Sequence, residues 1–230
     1  DQITDAEAVE LEAIVQREVF PVAFIVDGRF EALPVPWQHF NSGPICERIV
    51  AAIPSVGRVE YLADDGTHAE PLGTGFIVGD RLMMTSRSVA EVFVNGSGVG
   101  PFTFKSGRSS VFDLGREMGF SPMDLSGTLR ITRIRMVHPY WDMALMDLDH
   151  IPRWVKPLLL SVLAPEEMQD REIAKIGYPA VLGRNDRLQQ KGAELEMSVL
   201  RNVGGVKRLV PGTAKGRLPI SSYGQNVPAL

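Results

Sequence analysis

Residues 72–93 read LGTGFIVGDRLMMTSRSVAEVF, and the rest of the chain is organised around them. The stretch predicts two strands joined by a tight turn, followed by one helical turn. Gly73 and Gly75 flank Thr74, so the backbone there can bend or be approached closely. Phe76, Ile77 and Val78 are bulky and suit a pleated surface. Gly79-Asp80 is a turn signal, and Leu82 to Thr85 is the return strand. Ser86 is placed to cap a short helix that begins at Arg87.

Further along, residues 138–146 read HPYWDMALM and residues 173–179 read IAKIGYP. Between Val56 and Asp149 short strands and turns dominate, and that spacing indicates a barrel or a sandwich. Val59 to Leu62 is a strand closed by Asp64-Asp65-Gly66. Gly96 to Gly107 reads as a glycine-rich loop around Phe102 and Phe104. The residues from Ser109 to Ser126 read as irregular and polar. Leu129 to Val137 is strand-like, but its alternation breaks between Ile131 and Ile134, which predicts a bulge. Asp142 to Leu148 is the next strand.

These three stretches, in this order, resemble the trypsin-like (chymotrypsin-fold) serine peptidases, in the bacterial type without disulfides. In that family a G-x-G-F strand and a hairpin lead to T-N-R-H-V-A, where the histidine is the general base. Here Thr85 to Ala90 reads TSRSVA, so the resemblance puts the base at position 88, which is serine. A serine hydroxyl cannot act as a base near neutral pH. Asp142 matches the aspartate of the family's H-P-x-x-D segment, which orients the imidazole and stabilises its cation. The stretch Ile173 to Pro179 is similar to the strand that opens the second barrel. The family's nucleophile segment, G-[ND]-S-G, does not occur in these 230 residues; the chain order places it after Leu230. The resemblance runs from about Val56 to Leu230.

Composition sets bounds. The chain is 44% hydrophobic, enough for a sizeable core. Its net charge of −4 argues against a general nucleic-acid binder, because neutralising phosphates takes excess Lys and Arg. Cys46 is the single cysteine. An internal disulfide is therefore excluded, and a cytoplasmic setting is favoured over a secreted one. Within an apolar helical pattern Cys46 is expected to be buried and inert. No stretch reaches the ~18 apolar residues of a membrane span, and the acidic N-terminus is unlike a signal peptide.

Residues 1–55 lie outside the resemblance and predict a small helix–hairpin–helix α/β extension. Thr4 and Glu7 form a capping box. Leu11, Ile14, Val15 and Val19 recur at helical spacing. Val22 to Val26 and Arg29 to Leu33 form a hairpin through Asp27-Gly28. Asn41 or Ser42 caps a second helix with Pro44 in its first turn. The unit is expected either as an accessory domain or as an extension packed against a barrel. In the second half, Leu158-Leu159-Leu160 predicts an apolar strand, Glu166 to Asp170 a turn, and Glu172 to Gly177 a strand. Asn185 to Lys191 reads as a loop. Glu194 to Arg201, Gly205 to Val210 and Leu218 to Ser222 read as hairpin strands.

Other reactive side chains are expected to be structural. His39, His68, His138 and His150 show neither the i, i+4 helical spacing nor the cysteine partners of a zinc site, so no metal and no cofactor is implied. Ser221-Ser222 lacks the glycines that would build an oxyanion hole and reads as strand. Lys207, Arg208, Lys215 and Arg217 form a loose positive stretch expected to be a solvated face, not a nucleic-acid surface.

The expectation is an all-β, two-barrel chymotrypsin-like fold over residues 56–230, its second barrel incomplete, behind the extension of residues 1–55. The resemblance implies a serine endopeptidase acting on proteins or peptides through an acyl-enzyme. With Ser88 in the base's place and no nucleophile segment, the chain is expected to be inactive as written. The other classes are a pseudoprotease binding a partner in the inter-barrel cleft, and a partner-binding module using residues 1–55. The remainder of the same polypeptide after Leu230 is a further candidate partner; nucleic acid and membrane are not. Ser88 and Asp142 are expected to face each other across the rim of the first barrel. Because serine is shorter than histidine, a water rather than a direct bond is expected between them.

Overall fold

The computed structural model describes residues 21–62, 69–98, 100–106, 109–120, 126–178, 203–215, 218–222 and 225–229. The helix expected over Asp5 to Val19, His68, the turn at Asp64 to Gly66, the loop at Asn185 to Lys191 and the strand at Glu194 to Arg201 lie outside them.

The described residues open with β1 (Ala23–Val26) and β2 (Arg29–Phe30), a hairpin closed by Asp27 (φ 48°) and Gly28 (φ 72°). Two adjacent left-handed residues give the turn whose twist matches the strands. A 3-10 turn over Trp37–Asn41 leads to α1 (Gly43–Ala52). Pro44 sits in the first turn as expected, but neither candidate cap acts as one. Ser42 occupies the cap position without a side-chain bond. Asn41 instead clasps Leu33, accepting from its N–H and donating to its carbonyl, both at 2.8 Å.

Next come β3 (Val56–Leu62), β4 (Ala69–Gly79), β5 (Leu82–Thr85), α2 (Arg87–Phe93), β6 (Val94–Asn95), β7 (Thr103–Phe104), β8 (Ser109–Asp113), β9 (Thr128–Val137) and β10 (Ala144–Leu148). Six of these strands close a barrel in the order β10-β5-β4-β3-β8-β9. Strand β10 shows the two-residue period of a half-buried strand: Ala144, Met146 and Leu148 face inward and are buried. The β9–β10 register slips twice, opposite the stretch from Ile131 to Met136, where the alternation predicts a bulge. The reading of Ser109 to Ser126 as irregular is corrected at its start, because Ser109–Asp113 is strand β8. Its Ser110 and Asp113 are buried, so polar composition concealed a barrel strand.

Among the described residues of the segment joining the halves, the expected strand at Leu158 to Leu160 does not form. Leu158 donates its N–H to Ile77 O at 2.9 Å, while Leu159 is 99% exposed. The short helix α3 (Pro165–Met168) precedes β11 (Glu172–Gly177), β12 (Arg208–Thr213), β13 (Leu218–Ser222) and β14 (Gln225–Ala229). The second sheet has the order β11-β12-β1-β2. The N-terminal hairpin is therefore part of the second half: Ala23 pairs with Leu209 and Phe24 with Arg208. A second core joins Ile25, Trp37, Phe40, Ile49 and Ile53 to Leu209 and Ile176. The described part of the extension thus packs against the second sheet. A closed six-strand barrel beside a second sheet is the chymotrypsin-like two-barrel architecture. No helix among the described residues is long and apolar enough to cross a membrane.

Candidate active site

Close packing fixes where α2 begins. A Cβ on Gly73 would lie 2.5 Å from Val89 Cγ2, and one on Gly75 would lie 2.7 Å from Met83 Cε. Only glycine lets β4 pass this close beneath the helix and over the barrel core. Thr85, at the end of β5, donates through Oγ1 to Thr74 O at 2.8 Å. Ser86 then caps α2: its Oγ accepts the Val89 N–H at 3.2 Å, and its carbonyl accepts the Ala90 N–H at 3.1 Å. Position 88 is left in the first turn, exposed.

Asp142 approaches from the loop between β9 and β10. The Ser88 N–H donates to Asp142 Oδ1 at 2.9 Å, and the Ser88 hydroxyl donates to Oδ2 at 3.4 Å. Ser88 Oγ also lies 2.9 Å from Ser86 Oγ. The two residues named from the sequence thus meet across 54 positions. The expectation of a water in place of a direct bond is corrected: the backbone N–H makes the short contact, and the hydroxyl makes a longer one. No group at position 88 can take a proton from a nucleophile.

Three of the four histidines fall among the described residues, and each has a hydrogen-bond partner. His138 lies under the Asp142 loop, where its Nδ1 accepts the N–H groups of Tyr140 at 3.1 Å and Trp141 at 2.8 Å. His39 bonds Glu172 at 2.7 Å, and His150 bonds Asp149 at 3.0 Å. Cys46 is half-buried, more open than expected. Ser221 and Ser222 lie in β13 and pair with Asn226 and Gln225.

The reading of Lys207 and Arg208 as a solvated face is wrong. Their exposures are 0% and 1%, whereas Lys215 does stand in solvent beside Asp170. Both buried cations belong to the junction between the barrel and the second sheet. Glu60, 1% exposed, accepts from Arg58 Nε at 2.7 Å and Arg116 Nε at 2.9 Å. Arg116 also pairs with Asp113 at 2.9 Å. Arg58 crosses to Gly205 O at 2.6 Å, and Lys207 crosses to Glu117 at 3.1 Å and to Leu114 O at 3.0 Å. The Arg208 guanidinium stacks 4.4 Å over the Phe24 ring. Burial pulls the Lys207 pKa below its ordinary value, and Glu117 offsets this only in part. Burial also pulls on Arg116, but the Glu60 bond and the Asp113 charge outweigh it and hold its pKa above the ordinary value. Sequence reading missed this cluster. Arg58 and Glu60, two apart on β3, have the pattern of a solvent face, and nothing local reveals that the second half covers it.

A second link joins the halves at the organising stretch. Thr74 Oγ1 accepts the Tyr178 N–H at 2.9 Å. The Tyr178 ring is buried, and its hydroxyl has no hydrogen-bond partner among the described residues. Burial, reinforced by the Asp113 charge, pushes the phenol well above its ordinary pKa.

Solved structures similar to the chain are serine proteases. An active-form protease of M. tuberculosis, Rv3671c, is 18% identical with a TM-score of 0.46; the match covers 87% of this chain and 66% of that one. The thermostable serine protease AL20, from an extremophilic microorganism, is 14% identical over 77% of this chain and 78% of its own, with a TM-score of 0.40. Mouse neuropsin is 16% identical over 59% and 54%, with a TM-score of 0.35. The chain spans 66% and 62% of the lengths of the first two structures it matches. No protein-family model and no curated protein matches the chain.

Proposed function

We propose that the chain is a serine-endopeptidase-type domain, of the class that cleaves peptide bonds through an acyl-enzyme, held silent by serine in the place of its base. One observation carries this reading. The Asp142 carboxylate is aimed at residue 88, taking its N–H at 2.9 Å, at the end of the strand and hairpin whose sequence resembles the family's first catalytic segment. Acyl transfer needs a nucleophile, a base in hydrogen-bond reach and a group holding that base. The chain supplies the holder. A hydroxyl at 88 supplies no base, and no G-[ND]-S-G segment lies in the sequence.

A partner-binding pseudoprotease is the second reading. It is favoured by the bond between Ser88 and Ser86, 2.9 Å between hydroxyls, which satisfies the serine where it stands. Proteins or peptides are the ligand class in both readings.

The test is fluorophosphonate labelling and peptide cleavage. The 230-residue chain and its Ser88→His variant should both stay unlabelled, because members of a triad act as a unit. Ser88→His joined to a continuation bearing the nucleophile segment should be labelled on that serine. Labelling of the chain as it stands would overturn the proposal. A labelled continuation without Ser88→His would show that position 88 is not the base.

A further inference from the structure

We infer that Arg87 is the positioning residue that brings Asp142 to position 88. This rests on reading that pair as the seat of the acid–base relay. Arg87 precedes Ser88 in the first turn of α2, yet its side chain turns inward and is only 7% exposed. Its NH1 donates to two successive carbonyls of the loop that carries Asp142, to Pro139 O at 2.5 Å and to His138 O at 3.3 Å. Its Nε lies 3.8 Å from Glu91 Oε1, one helical turn on. The guanidinium therefore ties α2 to the loop three residues before Asp142.

The other bonds of the loop among the described residues are local. Pro139 to Asp142 lie outside the strands and are exposed. Within the loop, Met143 N–H meets Trp141 O at 2.7 Å, and His138 N–H meets Met143 O at 2.9 Å. His138 Nδ1 gathers the N–H groups of Tyr140 and Trp141. These bonds fold the loop on itself but do not fix it against α2. Among the described residues, the Arg87 clamp on the carbonyls and the Asp142 carboxylate on Ser88 both span that gap. The clamp orients the second. A planar, always charged guanidinium holds two neighbouring carbonyls at once, which a lysine ammonium on its flexible stem does less well.

The experiment uses the 230-residue chain with Arg87→Met and Arg87→Lys, read by amide hydrogen exchange. Arg87→Met should speed exchange at Ser88, Tyr140 and Trp141 by about tenfold, as local opening without global unfolding. Amides in β3 and β8 should keep their protection. Arg87→Lys should fall between. A second readout places each variant on Ser88→His and follows the introduced imidazole by NMR. Loss of the clamp should lower its pKa by about half a unit or more, because the carboxylate that favours its cation drifts away. Unchanged loop exchange or an unchanged imidazole would overturn the inference, as would equal acceleration of every barrel amide. If Arg87→Met does not fold, Arg87→Lys decides on the same criteria. Asp142→Asn on Ser88→His separates the two claims. If it lowers the imidazole pKa and Arg87→Met does not, only the Arg87 inference falls; if neither does, the reading of the pair falls.

Discussion

Asp142 and Glu60 are both carboxylates held by donors from elsewhere in the chain, and they sit in opposite surroundings. Asp142 is exposed and takes the N–H and hydroxyl of Ser88. Glu60 is 1% exposed and takes two guanidiniums, from Arg58 and Arg116. Water can replace every partner of the first and none of the second. Side chains at the rim can therefore change without cost to the fold, so a serine can stand at 88 on an intact barrel. Those at the junction cannot, because each leaves another charge stranded. The fold is carried by the interior cluster and depends little on the rim.

The largest effect should come from Glu60→Ala. It takes the carboxylate from buried Arg58 and leaves Arg116 with Asp113 alone, a loss of about 3–5 kcal/mol. Urea unfolding followed by circular dichroism should show it, and a change under ~1 kcal/mol would mean that the cluster is solvated. Next in size is Gly73→Ala. Its methyl would press on Val89, 2.5 Å away, costing about 1–3 kcal/mol. Val89→Ala alone removes core contacts, so the double variant should be more stable than the sum of the singles implies. Simple additivity in thermal melts would break the argument that this glycine seats α2.

The barrel was legible in sequence because its first catalytic-type segment is local. Gly73-Thr74-Gly75, the Gly79-Asp80 turn and the Ser86 cap each act within a few residues. Asp142 could be paired with position 88 only through the resemblance, since 54 residues separate them. The junction was not legible. Lys207, Arg208, Arg58 and Glu60 look polar and solvent-facing in any short window, and only the docking of the two halves buries them. The same limit hid the part played by the N-terminal hairpin, whose partner β12 lies some 180 residues on (Ala23 against Leu209). Leu158 to Leu160 failed in the opposite sense: an apolar run predicts a strand, but among the described residues it makes one bond to β4, from Leu158 to Ile77, and no ladder.

A smaller effect sharpens the comparison through pH. The Tyr178 phenol is raised well above its ordinary value of 10.0. Its contribution to stability is fully present below that unfolded value and is lost as pH climbs from there toward the folded one. Tyr178→Phe should change stability near pH 7 by less than about 1 kcal/mol, since the hydroxyl bonds to nothing described. It should also make stability fall less between pH 9 and 11 (roughly the span around an ordinary phenol). Equal alkaline slopes in the two chains would show that the ring is not sealed in the junction. The smallest effect belongs to the rim: Asp142→Asn should move the melting free energy by under ~1 kcal/mol.

The most direct measurement is the pKa of the imidazole introduced by Ser88→His, followed by NMR with and without Asp142→Asn. If Asp142 holds the seat of a base, the imidazole should titrate above the ordinary value of about 6.5 and return toward it in the double variant, because the carboxylate stabilises its cation. Identical titrations with Asp and with Asn at position 142 would contradict the account, since the carboxylate would then have no hold on position 88.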